Sequence, residues 1–183
     1  MDREALYQVI VERTPSRNLV NHMLAVEAIM RGLAVRFHED VEKWGIAGLV
    51  HDIDYAETKD KPNLHAIVGS EQLHLMGVSE DICYAVRVHN PLHGLPRKSM
   101  MDKALYAADP LSGLIVACAL VRPEKKLDLV DTDFVMLRFK EKRFAAGANR
   151  DQMLACQEMG IDLYEFVTIG LRSMKGISTE IGL

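Results

Sequence analysis

The stretch RNLVNHMLAVEAIMRGLAVR, residues 17–36, sets Val20, Met23, Leu24, Ala28, Ile29 and Leu33 at the spacing of one helix face. Ser16, after Pro15, offers a side-chain oxygen to cap it. The same pattern recurs outward. VEKWGIAGLV forms a second apolar helix running into His51. HDIDYAETKDKPN (51–63) reads as a polar loop, and Asn63 caps a helix of about 14 residues ending near Gly77. A helix opens at Ser79 and stops before Pro91, and another from Ser99 carries ALYAADPLSGLIVACAL, kinked or split at Pro110. A short helix is expected near 132–144, and Asn149 caps a long final one reaching about Lys175. With no strand-like alternation, the fold expected is all-α, a helical bundle of about seven to nine helices.

A chain of 183 residues suits one domain, with a motif-bearing core over about 16–120 and helices over about 130–175 packing on it. Apolar residues at 49% and charged residues at 26% describe a globular chain rather than a disordered one. No apolar run approaches the roughly 18–20 residues of a membrane span. The start, MDREALYQVIVER, lacks the basic and apolar regions of a signal peptide, so a cytoplasmic protein is expected. A net charge of −4 argues against nucleic acid as an obligate partner, while leaving room for a small phosphorylated ligand. Cys83, Cys118 and Cys156 are odd in number and far apart, which points to reduced, buried thiols.

Chemistry gathers at His22, the pair His51-Asp52, His65, His89 and Asp109. His22 shares its helix face with Val26, Ile29 and Leu33. His51 and Asp52 close an apolar helix; their side chains diverge by about 100° on a regular helix, yet at a frayed end both can turn toward one cation. Asp109 lies among Ala, Leu and Ile, where a lone carboxylate is costly and a cation removes the cost. His65 is placed on a face with Gly69 and Gln72, and His89 on one with Ile82 and Val86. Plainer readings stand beside these: His22 as a core histidine bonded to a carbonyl, Asp109 as a helix cap before Pro110. Imidazoles with carboxylates suit Mn, Fe, Co, Ni, Mg or Zn rather than a closed thiolate site. His38, His74 and His93 are left outside the cluster.

The order His, His-Asp, distant Asp, read here as NHMLAVEAIM, LVHDIDYAET and ALYAADPLSG, resembles the HD superfamily of metal-dependent phosphohydrolases. The closing stretch FAAGANRDQMLACQEMGIDLYEF looks like the tail of small bacterial HD-domain hydrolases. The resemblance implies that His22, His51, Asp52 and Asp109 hold a first divalent metal. His65 and His89 then hold a second, with Asp52 bridging. It also implies hydrolysis of a nucleotide or other small phosphate ester by metal-activated water. Tyr55-Ala56 stands where alarmone hydrolases carry Glu-Asp, and the GYP motif of cyclic-di-nucleotide phosphodiesterases is missing. Beside Asp52, Asp54 and Glu57 are the nearest candidates for proton transfer, and Lys59, Lys61, Arg97 and Lys98 for gripping phosphate. Two further readings are a di-iron, oxygen-dependent enzyme and a metal-stabilised regulatory module without turnover. The apolar final helix also offers a face for a homodimer.

Overall fold

The computed structural model describes residues 1–183 as helices and connecting turns without a strand. The helices are α1 (Arg3–Arg13), α2 (Arg17–Phe37), α3 (Val41–Val50), α4 (Tyr55–Thr58), α5 (Ile67–Leu75), α6 (Glu80–His89) and α7 (Met100–Leu120). They continue as α8 (Thr132–Lys140), α9 (Arg150–Leu154), α10 (Leu163–Lys175) and α11 (Ser178–Ile181). Single 3-10 turns lie at Pro91–His93, Leu127–Leu129 and Ala155–Met159. The all-α expectation holds, with α4, α9 and α11 each five residues or shorter.

The two 21-residue helices, α2 and α7, pack on each other at the centre. On one side α3 lies along α2, with α6 against α3 and α7, and α5 against α6; on the other, α10 covers α2 while α8 and α9 cover α7. One continuous core runs from Leu6 to Ile181. By length and composition α7 could cross a membrane, contrary to the reading of the apolar runs. It is the core helix instead, with faces meeting α2, α6, α8 and α9.

α2 begins as its sequence says, with the Ser16 hydroxyl accepting the Leu19 N–H. α7 is capped from both directions: Ser99 accepts from Asp102 N–H, and the Asp102 carboxylate accepts from Ser99 N–H. Pro110 neither splits nor ends it. Three boundaries differ from expectation. The 51–63 segment contains the short α4. Asn63 caps nothing; α5 starts at Ile67, so His65 lies in the preceding turn rather than on a face with Gly69 and Gln72. The final helix is broken at Gly160 (φ +79°), and α10 restarts on Asp162, whose side chain accepts the Glu165 N–H. The apolar face that suggested a second subunit, including Phe166, Val167 and Met174, is buried within this chain against α2 and α7.

Between α8 and α9, the Arg150 guanidinium donates to the carbonyls of Phe144, Ala145 and Ala148 at 2.6–2.8 Å, pinning that connection.

Gly48 lets α3 lie directly on α2. A Cβ there would meet the backbone of Glu27 and Val26 at 2.8 Å. Gly48→Ala is therefore expected to cost about 1–3 kcal/mol, read as a lower denaturant midpoint at unchanged slope. A midpoint equal to the parent's would show that the helices separate freely there.

Candidate metal centre

Four histidine rings converge at the junction of α2, α3, α6 and α7, and each is tethered through Nδ1. His51 Nδ1 donates to the Gly48 carbonyl at 2.8 Å, and His89 Nδ1 to the Val86 carbonyl at 2.5 Å. His65 Nδ1 donates to Asp54 Oδ1 at 3.0 Å. His22 Nδ1 lies 3.0 Å from the Ser112 hydroxyl, whose own proton goes to the Asp109 carbonyl at 2.8 Å, so the hydroxyl accepts from the ring. Because every Nδ1 partner accepts, the network assigns a proton to Nδ1 of each ring, and a ring that carries no second proton presents an Nε2 lone pair inward.

The carboxylate of Asp52 divides the cluster. Its Oδ2 is 3.6 Å from both His22 Nε2 and His51 Nε2, while its Oδ1 is 3.3 Å from His65 Nε2 and 3.6 Å from His89 Nε2. Asp109 Oδ1 joins the first group, 3.2 Å from His22 Nε2 and 3.8 Å from His51 Nε2. His22 Nε2 and His51 Nε2 stand 3.1 Å apart, where two lone pairs repel unless a proton or a cation lies between them. His22, His51 and Asp109 form one set of donors close enough for an ion, and His51, Asp52 and His89 another. The donor set fits a divalent cation, with the tethered Nδ1 atoms fixing ring orientation.

Burial grades across the site. The side chains of His51, His89 and His65 are 0%, 3% and 14% exposed, against 25% for His22 and 29% for Asp109. The open edge is therefore the His22–Asp109 side.

Asp54 is wholly buried and accepts three donors: His65 Nδ1, Ala66 N–H at 2.8 Å and Gly69 N–H at 2.9 Å. It closes the start of α5 from twelve and fifteen residues away and holds Ala66 left-handed (φ +71°), a conformation costing about 1–2 kcal/mol for a residue with a Cβ. That turn brings His65 Nε2 to Asp52.

The protein groups shift one another's proton affinities. Burial pushes His51 down to about 4. Burial also opposes a charge on His65, but its bonds to Asp52 and Asp54 prevail and lift it to about 10. For His22, burial is again outweighed, here by Asp109, and its pKa is raised. Burial disfavours the charge on Asp52, yet the surrounding histidines hold it well below the usual carboxylate range; burial opposes the charge on Asp109 too, and His22 lowers its pKa. His51 is depressed, so the stability it contributes is present above about 6.5 and lost as pH falls toward 4. His65 is raised, so its contribution is present below about 6.5 and lost as pH rises toward 10. With metal stripped by chelator, the thermal midpoint is expected to peak near pH 6.5, and restored metal to flatten the alkaline fall by replacing the His65 proton. A midpoint that rises steadily from pH 6.5 to 9 after stripping contradicts this assignment.

All six sequence-assigned ligands thus meet in one cluster. The other expected residues divide. Glu57 is exposed, its nearest bond being from Gln72 at 3.4 Å. Arg97 is engaged by Glu158 at 2.5 and 3.2 Å, and the Lys98 ammonium lies over the Tyr84 ring; Lys59 and Lys61 are exposed. His93 stays outside the cluster, its Nε2 bonded to the His65 carbonyl at 2.7 Å. Ser112 escaped the sequence reading. Its one signal is that it lies three residues after Asp109, on the same side of the helix.

The family model described as HD domain matches residues 19–119, a span that contains all six residues of the cluster. Among curated relatives, Ribonuclease Y of Oleidesulfovibrio alaskensis is 33% identical over 98 residues, covering 54% of this chain and 18% of that protein. Ribonuclease Y of Lawsonia intracellularis is 28% identical over 117 residues, covering 64% of this chain and 21% of that protein. The chain spans about a fifth of the length of these relatives.

Proposed function

This chain belongs to the HD domain family of metal-dependent hydrolases, and on that premise we propose that it hydrolyses a nucleotide or another small phosphate ester. The observation carrying this reading is the two-faced placement of Asp52, one oxygen toward His22 and His51 and the other toward His65 and His89. His22, His51, Asp52, Asp109, His65 and His89 would hold a divalent cation, which when bound would lower the pKa of a water toward neutrality and offset phosphoryl charge.

The chain's own residues do the rest. His51 and His89, buried and tied to backbone carbonyls, fix the inner wall; His22 and Asp109 form the edge by which a phosphoryl group enters. Asp54, occupied by three donors, positions His65 rather than exchanging protons with substrate. Of the four basic residues singled out for phosphate, Lys59 and Lys61 are exposed, whereas Arg97 is paired with Glu158 and Lys98 lies over Tyr84. The three buried, unpaired thiols agree with a reducing, cytoplasmic setting.

The test is product release from a panel of nucleoside mono-, di- and triphosphates, dinucleotides and short RNA, with metal-loaded protein. Metal-dependent turnover of at least one small ester supports the reading. Fully loaded, folded protein that cleaves none of them sinks it. The relatives' name, Ribonuclease Y, favours RNA as a second substrate class, and cleavage of RNA with none of the small esters would select it. His65 and His89 complete a ligand set that also suits two irons. Iron content with substrate-dependent oxygen uptake would select that chemistry instead.

A further inference from the structure

Next to the open edge of the cluster lies a cavity of about 510 Å³ between α2 and α7, within the roughly 300–1,000 Å³ of small-molecule sites. It shares His22 and Ser112 with the metal centre. From Asp109 the wall continues along one face of α7 through Gly113, Val116 and Leu120, spaced i+4, i+7 and i+11. From His22 it continues one turn back along α2 to Asn18, with Asn21 alongside. Ile181 and Leu183 close the far side, held by Asn21 Nδ2 donating to the Ile181 carbonyl at 3.0 Å.

The lining is the informative part. None of its ten side chains is that of Lys, Arg, Asp or Glu, and the His22 imidazole is the one titratable side chain among them. A phosphate chain finds no countercharge there, whereas amides set among aliphatic side chains suit an uncharged, planar group with hydrogen-bonding edges. Gly113 adds a second observation. It sits mid-helix, where glycine is less stable than alanine, and a Cβ built on it has no atom within 4 Å. Packing does not require the missing side chain; the space in front of it is the cavity.

We propose that this cavity is the leaving-group subsite and takes the nucleoside part of a nucleotide, with the phosphoryl group at the His22–Asp109 edge. The assignment rests on the phosphohydrolase reading for its orientation, but binding of the nucleoside can be measured without turnover.

The experiment is calorimetric titration of adenosine, guanosine, cytidine and uridine into the full metal-loaded chain, its Gly113→Phe variant and Asn18→Trp, which fills the cavity from the opposite wall. At least one nucleoside is expected to bind one-to-one, weakened tenfold or more in both variants, with metal content and thermal midpoint unchanged. Should either variant fail to fold, the other together with Gly113→Ala carries the comparison. Absence of nucleoside binding to the parent chain, or equal affinity in the filled variants, overturns the subsite. Gly113-dependent nucleoside binding without cleavage of any ester overturns the phosphohydrolase reading and leaves the subsite standing. Ester cleavage with no such binding does the reverse.

Discussion

Asp52→Ala is expected to empty both cation positions at once. The carboxylate is the single group that faces His22 and His51 with one oxygen and His65 and His89 with the other. Removing it takes the carboxylate from the second set and, from beside the first, the negative charge that faces His22 and His51. Metal content, about one to two equivalents in the parent, should fall below about a tenth of an equivalent. Hydrolysis should drop on the order of a thousandfold or more, about 4 kcal/mol of transition-state stabilisation. His89→Ala is the internal control, because it touches the second set while His22, His51 and Asp109 remain. Asp52→Ala protein that keeps its metal would remove the bridging role.

Asp54→Ala carries the largest expected effect on stability. Its buried carboxylate receives two backbone N–H groups and the His65 ring. Truncation leaves those donors unpaired, at about 1–3 kcal/mol each for the amides, and frees the strained Ala66 turn. The sum expected is about 3–5 kcal/mol, or about 10 °C in thermal midpoint for a chain of this size. His65 would lose its orientation as well, weakening metal by about 10–100-fold. Asp54→Asn, retaining one acceptor oxygen, should lie between. A midpoint within about 2 °C of the parent for the alanine variant would mean that water replaces the carboxylate.

Much of this site was legible because its residues carry local signals. His22 follows the apolar rhythm of its helix, His51-Asp52 ends one, and Asp109 is a charge in an otherwise apolar run. Their order along the chain indicated the family before any coordinates. His51 and His89 also show why they lie at helix ends: each ring donates three residues back, to Gly48 and Val86. What stayed hidden was the long-range part. Asn63 looked like a cap because it precedes an apolar run. The true closure comes from Asp54, whose fold-back no local pattern records. Arg97 looked free until Glu158, sixty-one residues away, met it. The break at Gly160 was legible, since glycine followed by Asp162 spells a stop and a new cap. It was missed because the apolar positions on either side hold a helical period.

The donors of the cluster come from three separate helices and two turns, between positions 22 and 109. An unfolded chain cannot bring them together, so a cation that binds here binds the folded form alone. At free metal a thousandfold above its dissociation constant, that linkage adds about 4 kcal/mol to folding. Heat tolerance of this protein in a cell therefore tracks the supply of its metal. Starvation for that ion would lower the protein's lifetime as well as its rate, because the fraction open to proteases rises as metal leaves.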